Sequence, residues 1–321
     1  MRQSNTRAMV ETGFLTAIIV VLTIIGSNVP MLGFLATIVG PATLAVVGVR
    51  WGSKYSCSAA VGTFFLLSFI YGPLMALLET VTFSLMGICI GEGYRAQWNG
   101  VKKILIPASA FVVAAILVFF ISYVVMNVDY MSLYTQFETE FNTSLREMYS
   151  QRDMDAAQQL AIQQQVESSL TFMKYAFATM VFFSASVITF MTSKLAAIIL
   201  RRVGMPVEEL PPCGKWQMPK WAPFLLAIGI ILNYWANVKG IEIAMWIGPN
   251  LVLAGAVLCA IQGVACVWSI FESYRVGKSW RTIVLAVLLL MFPQTIVVLG
   301  IIDSIFDLRR HFSERSNQTK Y

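Results

Sequence analysis

The sequence predicts an all-α polytopic membrane protein, a transmembrane helical bundle of eight to nine spans with a cytoplasmic N-terminus. Two observations are compositional: 57% of the 321 residues are hydrophobic and only 12% are charged, whereas about 25% are charged in a soluble domain. The third is that apolar residues form runs of about 20 residues, the length that an α-helix needs to cross a bilayer. A soluble globular protein is therefore excluded.

Eight runs are candidate membrane-spanning helices. They cover residues 13–30, 31–49, 56–70, 73–91, 104–126, 171–200, 221–236 and 243–270. The third run is short, but Tyr55 and Tyr71 flank it as interfacial anchors, where aromatic rings with a polar edge settle.

The orientation follows from lysine and arginine, which are retained on the cytoplasmic side of short loops. Fourteen of them lie in segments that would face inward, at residues 1–12, 50–55, 95–103, 201–220 and 271–281. The alternate segments carry only Arg146, Arg152 and Lys239. The net charge of +6 reflects this asymmetry, and it predicts no nucleic-acid partner because the basic residues are scattered over loops. The predicted partner is the lipid bilayer.

The longest polar segment, residues 128–170, is predicted to be an extracytoplasmic helical hairpin. Apolar residues recur there at spacings of three and four, as expected for one helix face: Tyr134, Phe137, Phe141, Leu145 and Met148. Asp153 is the predicted cap of a second helix that begins at Met154 and runs into the sixth span. The hairpin is either a connector whose apolar stripe pairs its two arms, or a partner-binding or substrate-capping element.

The last apolar stretch, residues 282–306, has two interpretations. It is about 37 Å long as a helix, too short for two crossings of a core about 30 Å thick, and Pro293 lies near its middle. One kinked crossing would place the basic tail outside. A re-entrant pair of half helices would return the tail to the cytoplasm.

The sequence thus predicts three parts. Residues 1–200 form a six-helix membrane domain that includes the 128–170 hairpin. Residues 201–220 form a cytoplasmic loop, and residues 221–321 form a C-terminal membrane extension with a short basic tail.

Catalytic motifs are absent from the sequence. It has a single histidine, His311, so no histidine-based zinc site or catalytic triad is expected. It also lacks the Gly-x4-Gly-Lys-Ser/Thr phosphate loop and the Gly-x-Ser-x-Gly nucleophile elbow. We therefore expect no enzyme, no metal and no cofactor, and ATP-driven work would need another subunit.

Four polar residues inside the predicted spans are candidate ligand or ion contacts: Glu79, Lys174, Asn250 and Gln262. Ionisable residues in a membrane usually face a cavity or a partner. Glu79 is either functional or a protonated glutamate bonded between helices. Lys174 either pairs with Glu79 or extends to the interface. Asn250 and Gln262 either join helices or contact a solute.

Two further sets of residues stand out. The small-residue pairs Gly13-x3-Ala17 and Gly87-x3-Gly91 are candidate positions for close helix docking. Asp303, Asp307, Arg309 and Arg310 form a candidate C-terminal cluster in which helical spacing would place the two aspartates on one face. This cluster is either an interfacial stop signal, or its aspartates bind inner loops and close the re-entrant pair.

The opening of the sequence resembles a known superfamily. The residues that carry the resemblance are Gly13 to Ala17, Val39-Gly-Pro41, Tyr71-Gly-Pro73, Gly87-x3-Gly91 and Arg95. They resemble the substrate-binding (S) subunits of energy-coupling-factor transporters and their wider superfamily, which includes the rod-shape protein MreD. The resemblance covers residues 10–200.

The end of the sequence resembles the uncharacterised YybS-like membrane proteins of Firmicutes. The residues that carry this resemblance are Ile261-Gln262-Gly263, the segment from Leu299 to Asp303, and the segment from Phe306 to Arg310.

These resemblances imply a multi-pass protein of the bacterial cytoplasmic (inner) membrane. In S subunits a small-residue face of the first helix, here Gly13 and Ala17, docks on a separate membrane coupling subunit driven by ATPases. Their ligand binds near the outer face, at a depth that suits Glu79. The implied function is a small-solute binding or transport subunit. The alternative, implied by MreD, is a non-catalytic scaffold of the cell-envelope, shape or division machinery with envelope proteins as partners.

Overall fold

The computed structural model describes residues 2–150, 155–208, 210–309 and 312. Within these ranges the chain forms eleven α-helices and a short 3-10 turn at Cys213–Lys215. The helices are α1 (Arg2–Asn28), α2 (Pro30–Trp51), α3 (Ser53–Tyr71), α4 (Pro73–Arg95), α5 (Lys102–Met126), α6 (Tyr130–Ser150), α7 (Ala156–Arg202), α8 (Ala222–Lys239), α9 (Glu242–Ser273), α10 (Lys278–Met291) and α11 (Pro293–Phe306).

Seven helices in the described ranges are long and apolar enough to cross a membrane, namely α1, α2, α4, α5, α7, α8 and α9. The bent pair α10 and α11 would make an eighth span. The all-α polytopic architecture is thereby confirmed. The third predicted span is helical, as α3, but it falls short of the hydropathy of the seven because it includes Lys54 and several serines.

The chain divides into two compact units. Unit 1 comprises Met1–Gln159 and Val181–Leu210, and unit 2 comprises Leu160–Met180 and Pro211–Tyr321. Helix α7 contributes to both, because its segment 160–180 packs with the C-terminal helices.

Unit 1 is organised by close contact between α2 and α4. A Cβ atom on Gly87 would lie 2.7 Å from the Pro41 carbonyl oxygen, and one on Gly91 would lie 3.0 Å from that of Ala45. Since only glycine leaves room for this approach, Gly87 and Gly91 are the positions where the α4 backbone meets α2. A buried cluster that includes Met86 surrounds the contact.

Unit 2 is organised around α9, which has a glycine contact on each of two neighbours. A Cβ on Gly255 would lie 2.5 Å from the Leu226 nitrogen of α8. Cβ atoms on Gly263 and Gly300 would each collide with the backbone of the opposite helix, so α11 and α9 are in direct backbone contact. Helices this close gain dispersion energy, which drives helix association in membranes.

Helices α10 and α11 meet at Pro293 with a bend of 109°. Each has 14 residues, about 21 Å, which is less than the thickness of the hydrocarbon core.

Both ends of this pair lie beside the C-terminal turns of α9. At its start, Arg281 Nη1 is 3.2 Å from Glu272 Oε1. After its end, Arg309 Nη1 donates to the Gly214 carbonyl, and Gly214 itself packs against Trp268 and Glu272. This geometry favours the re-entrant interpretation over one kinked crossing.

The predicted external segment contains two helices. Helix α6 leaves Phe137 and Phe141 exposed, with their rings stacked at a centroid distance of 5.9 Å. Helix α7 begins at Ala156 and continues without a break to Arg202, so the prediction that the second arm runs into the sixth span is confirmed. The predicted cap, Asp153, and Met154 lie outside the described residues, and the residue before α7 is Asp155.

The predicted topology can be tested by cysteine labelling, in a chain whose five native cysteines are replaced by alanine. We expect a membrane-impermeant maleimide to label Met148→Cys in intact cells, because the charge bias places α6 outside. Gln217→Cys, which is also at an exposed position, should react only after the membrane is permeabilised. Labelling of position 217 but not 148 in intact cells would reverse the orientation.

Candidate functional site

Unit 2 contains an open cavity of about 930 Å³ between α7, α8 and the start of α9, and most of its polar lining residues are exposed. This end of α8 and α9, next to Gly240, is predicted to face outward. The lining combines amides, hydroxyls, two aromatic rings and one carboxylate: Gln164, Gln165, Glu167, Ser168, Ser169, Thr171, Phe172, Met173, Tyr175, Asn233, Ala236, Asn237, Met245 and Pro249. Such a mixture of apolar surface with a few polar groups is typical of small-molecule sites.

Asn250 lies next to this cavity, since its chain neighbour Pro249 and its hydrogen-bond partner Tyr175 are lining residues. Its side-chain oxygen accepts a hydrogen bond from the Thr179 hydroxyl at 2.7 Å. Its side-chain nitrogen donates to the carbonyl oxygens of Tyr175 and Trp246, both at 2.7 Å. Because donor and acceptor both have partners inside unit 2, Asn250 joins α9 to α7, which favours the helix-joining interpretation.

Close packing between α8 and α9 fixes the wall of the cavity that α8 contributes. A Cβ on Gly248 would lie 2.8 Å from the Asn233 nitrogen, so α8 and α9 are in contact beside the cavity. One turn later, the Asn237 side chain donates to the Asn233 carbonyl at 2.8 Å. The asparagines therefore lie on a rigid helix pair rather than on a loop.

A polar clamp, formed by Gln262, Asp303 and Arg309, lies toward the other end of α9. The Asp303 side chain is only 1% exposed. Its Oδ2 accepts from Gln262 Nε2 at 2.7 Å and from Arg309 Nε at 2.9 Å, and its Oδ1 accepts from the Arg309 backbone nitrogen at 3.2 Å. The buried carboxylate is thus neutralised and hydrogen-bonded on both oxygens.

The clamp also holds the loop that precedes α8. Arg309 Nη1 donates to the carbonyl oxygens of Gly214 at 3.1 Å and Trp216 at 2.7 Å. The Met218 backbone nitrogen donates to Gln262 Oε1 at 2.8 Å. Each atom of the Gln262 amide therefore has an internal partner, which favours a structural role over a solute contact.

The helical spacing predicted for the C-terminal cluster is wrong beyond Phe306. Helix α11 ends there, and Asp307 has a left-handed backbone with φ of 48°. The chain turns back so that Arg309 reaches the buried Asp303, whereas Asp307 is exposed and lies 3.7 Å from Lys220. Arg310 lies outside the described residues.

The remaining candidate residues are exposed. Glu79 on α4 belongs to unit 1 and makes no hydrogen bond or ion pair with any residue that the structure describes, whereas Lys174 on α7 belongs to unit 2. Gly13 and Ala17 lie on an exposed face of α1, where a Cβ on Gly13 would meet nothing within 4 Å. In the described ranges no group of three or more His, Cys, Asp or Glu side chains could hold a metal ion.

Sequence reasoning singled out none of the cavity-lining residues individually, although five of them lie in the 128–170 segment that it offered as a possible substrate-capping element. Asn233 and Asn237 lie in the last two turns of α8, where polar residues are common in any membrane protein, whereas Glu167 lies well inside α7. The signal that could have pointed to them is the polar extension of α7 beyond its apolar span.

The fold and these sites define a multi-pass α-helical membrane protein. Residues 17–304 match the family described as "Predicted membrane protein (DUF2232)", and the chain belongs to that family. It is 22% identical over 311 residues to the uncharacterised protein YybS of Bacillus subtilis, covering 95% of this chain and 98% of that protein. The resemblance to YybS-like proteins is thereby supported. No solved structure matches the chain.

The clamp predicts a specific effect on stability. Asp303→Asn keeps the shape of the side chain but leaves the Arg309 guanidinium without its counter-charge. We expect it to lower the free energy of unfolding by about 3 kcal/mol, measured as a reduced thermal midpoint of the purified protein in detergent. The matched control is Asp307→Asn, which removes a carboxylate from an exposed pair and should change the midpoint little. Equal midpoints for the two variants would contradict the assignment.

Proposed function

We propose that this protein is a subunit of the bacterial cytoplasmic membrane that binds a small polar solute for transport. The observation that carries the proposal is the cavity between α7, α8 and α9. Its volume of about 930 Å³ lies within the range of small-molecule sites, about 300–1,000 Å³. Its walls belong to helices fixed by Asn250 and Gly248, so little ordering is required on binding.

The lining suits a solute with several hydrogen-bonding groups. Amides from Asn233 and Asn237 on α8 face the cavity together with the hydroxyls of Ser168 and Ser169 on α7. Phe172 and Tyr175 supply flat apolar surface, on which a ring or a sugar-like face packs.

A transport cycle would draw its energy from other subunits. The sequence has no phosphate loop for ATP, so a separate membrane coupling subunit and ATPases would supply the drive, as in the S subunits that residues 10–200 resemble. The exposed face of α1 around Gly13 and Ala17 is our proposed docking surface for that coupling subunit. Glu79, on the exposed side of α4, stays a predicted ligand or ion contact. In this proposal the protein is not an enzyme.

Filling the cavity should abolish solute binding. We expect Ser168→Trp to remove the small molecules that co-purify with the wild-type protein from native membranes, because the indole occupies the cavity. The measurement is mass spectrometry of the extract from equal amounts of folded protein.

The matched control is Ser144→Trp, at an exposed position of α6 that is not among the cavity-lining residues. It should leave the co-purified molecules unchanged. The same set of molecules from wild type and Ser168→Trp, at equal thermal midpoints, would refute the cavity as the binding site.

A second candidate function, a non-catalytic scaffold of the envelope, shape or division machinery, is favoured by α6. This amphipathic helix exposes 52% of Phe137 and 37% of Phe141, although its predicted location is aqueous. An exposed aromatic stripe of this kind marks a protein-binding surface.

The scaffold role predicts that Phe137→Asp weakens the recovery of cell-wall synthesis proteins with the purified chain by about tenfold or more, as for a central interface aromatic. Thr139→Asp, which adds the same charge to another exposed position of α6, is the control and should retain them. Recovery of coupling subunits and ATPases instead of wall-synthesis proteins would favour the transport role.

A further inference from the structure

We infer that the cavity of unit 2 selects neutral or cationic solutes that donate hydrogen bonds, and that Glu167 is the group that excludes anions. This inference rests on the proposed solute-binding function and names the substrate class of the same site.

The lining of the cavity contains an acidic side chain and no basic one. Glu167 is the one carboxylate among the lining residues. Its Oε1 accepts a hydrogen bond from Gln163 Nε2 at 3.1 Å, a neighbour one turn earlier on α7. No other bond to this carboxylate is made within the described ranges, so Oε2 is available to a ligand.

Nearby cations do not neutralise this carboxylate from inside the cavity. Lys174 and Lys239 are not among the lining residues, and Lys239 lies over the Trp235 ring with its nitrogen 5.2 Å from the centroid. An anion entering the cavity would therefore meet a carboxylate without a basic partner.

The other hydrogen-bonding groups of the lining are amides and hydroxyls, which both donate and accept. The Ser169 hydroxyl donates to the Gln165 carbonyl at 2.8 Å, and the Asn237 side-chain nitrogen donates to the Asn233 carbonyl. These internal bonds occupy donors and leave the Ser169 and Asn237 side-chain oxygens as acceptors. Tyr175 retains an available donor, since its hydroxyl contacts only the Met245 sulfur at 4.0 Å. The lining therefore offers donors as well as acceptors, and the Glu167 carboxylate is the group that distinguishes a protonated amine from an anion.

Charged thiol reagents test this inference without knowledge of the solute. The full-length protein in nanodiscs, with its native cysteines replaced, carries Asn237→Cys, at a lining position that α8 contributes. We would compare its reaction rates with a cationic trimethylammonium methanethiosulfonate and an anionic sulfonate methanethiosulfonate of similar size. The cation-to-anion rate ratio should exceed that of a free thiol in solution by about threefold or more at low ionic strength.

Two carboxylate variants test whether Glu167 causes the difference in reaction rate between the cation and the anion. Glu167→Gln should reduce the ratio to that of the free thiol. Glu272→Gln, about 40 Å away along α9, should leave it unchanged because that distance exceeds the screening length. Ser168→Cys provides a second probe position if Asn237→Cys does not fold.

The outcomes separate this inference from the proposed function. If both reagents react but the ratio equals that of the free thiol, or does not respond to Glu167→Gln, the charge selectivity is refuted while solute binding stands. If neither reagent reacts at either probe position in folded protein, the cavity is closed, and both proposals fail.

Discussion

A carboxylate that is almost completely buried, Asp303, sets the constraint on which the C-terminal half of unit 2 depends. An ionised carboxylate is tolerated in apolar surroundings only when its charge is compensated and its oxygens are hydrogen-bonded. Both conditions are met by Arg309, six residues later. For the arginine to reach back, α11 must end at once, and the left-handed Asp307 makes that turn. The end of α11 at Phe306 thus coincides with the end of the apolar stretch, and the Asp303–Arg309 pair fixes how the chain turns there.

The same arginine ties the loop before α8 to the helix pair. Arg309 donates to the backbone carbonyls of Gly214 and Trp216, so one side chain holds two residues of that loop. Gln262 completes the arrangement by bonding both Asp303 and Met218. These bonds are within reach only because Gly263 and Gly300 let the backbones of α9 and α11 touch. The glycine contact between α9 and α11 and the charge compensation of Asp303 therefore depend on each other.

Much of this architecture could be predicted from the sequence, because apolar runs of membrane length are a strong signal. The sequence predicted the helices and the break at Pro293, and it singled out Gln262 and Asp303 as candidate residues. The contact between Gln262 and Asp303 was not, because 41 positions separate them and spacing along one helix carries no information about its neighbour. The error at Asp307 has the same origin: helical periodicity was extended past Phe306, whereas the helix ends there and the chain turns back so that Arg309 reaches Asp303.

The cavity was missed for a different reason, which also bears on its function. Its residues come from three helices, and none of them stands out in the sequence until the fold brings α8 and α9 together at Gly248. In the clamp, the described polar groups satisfy one another. In the cavity, the second oxygen of Glu167 has no bond to a described residue, and the Tyr175 hydroxyl has only a sulfur as its acceptor. Saturated groups hold a fold together, whereas polar groups left available in a preformed space are those that a ligand can use. This contrast within unit 2 favours a structural role for the clamp and a binding role for the cavity.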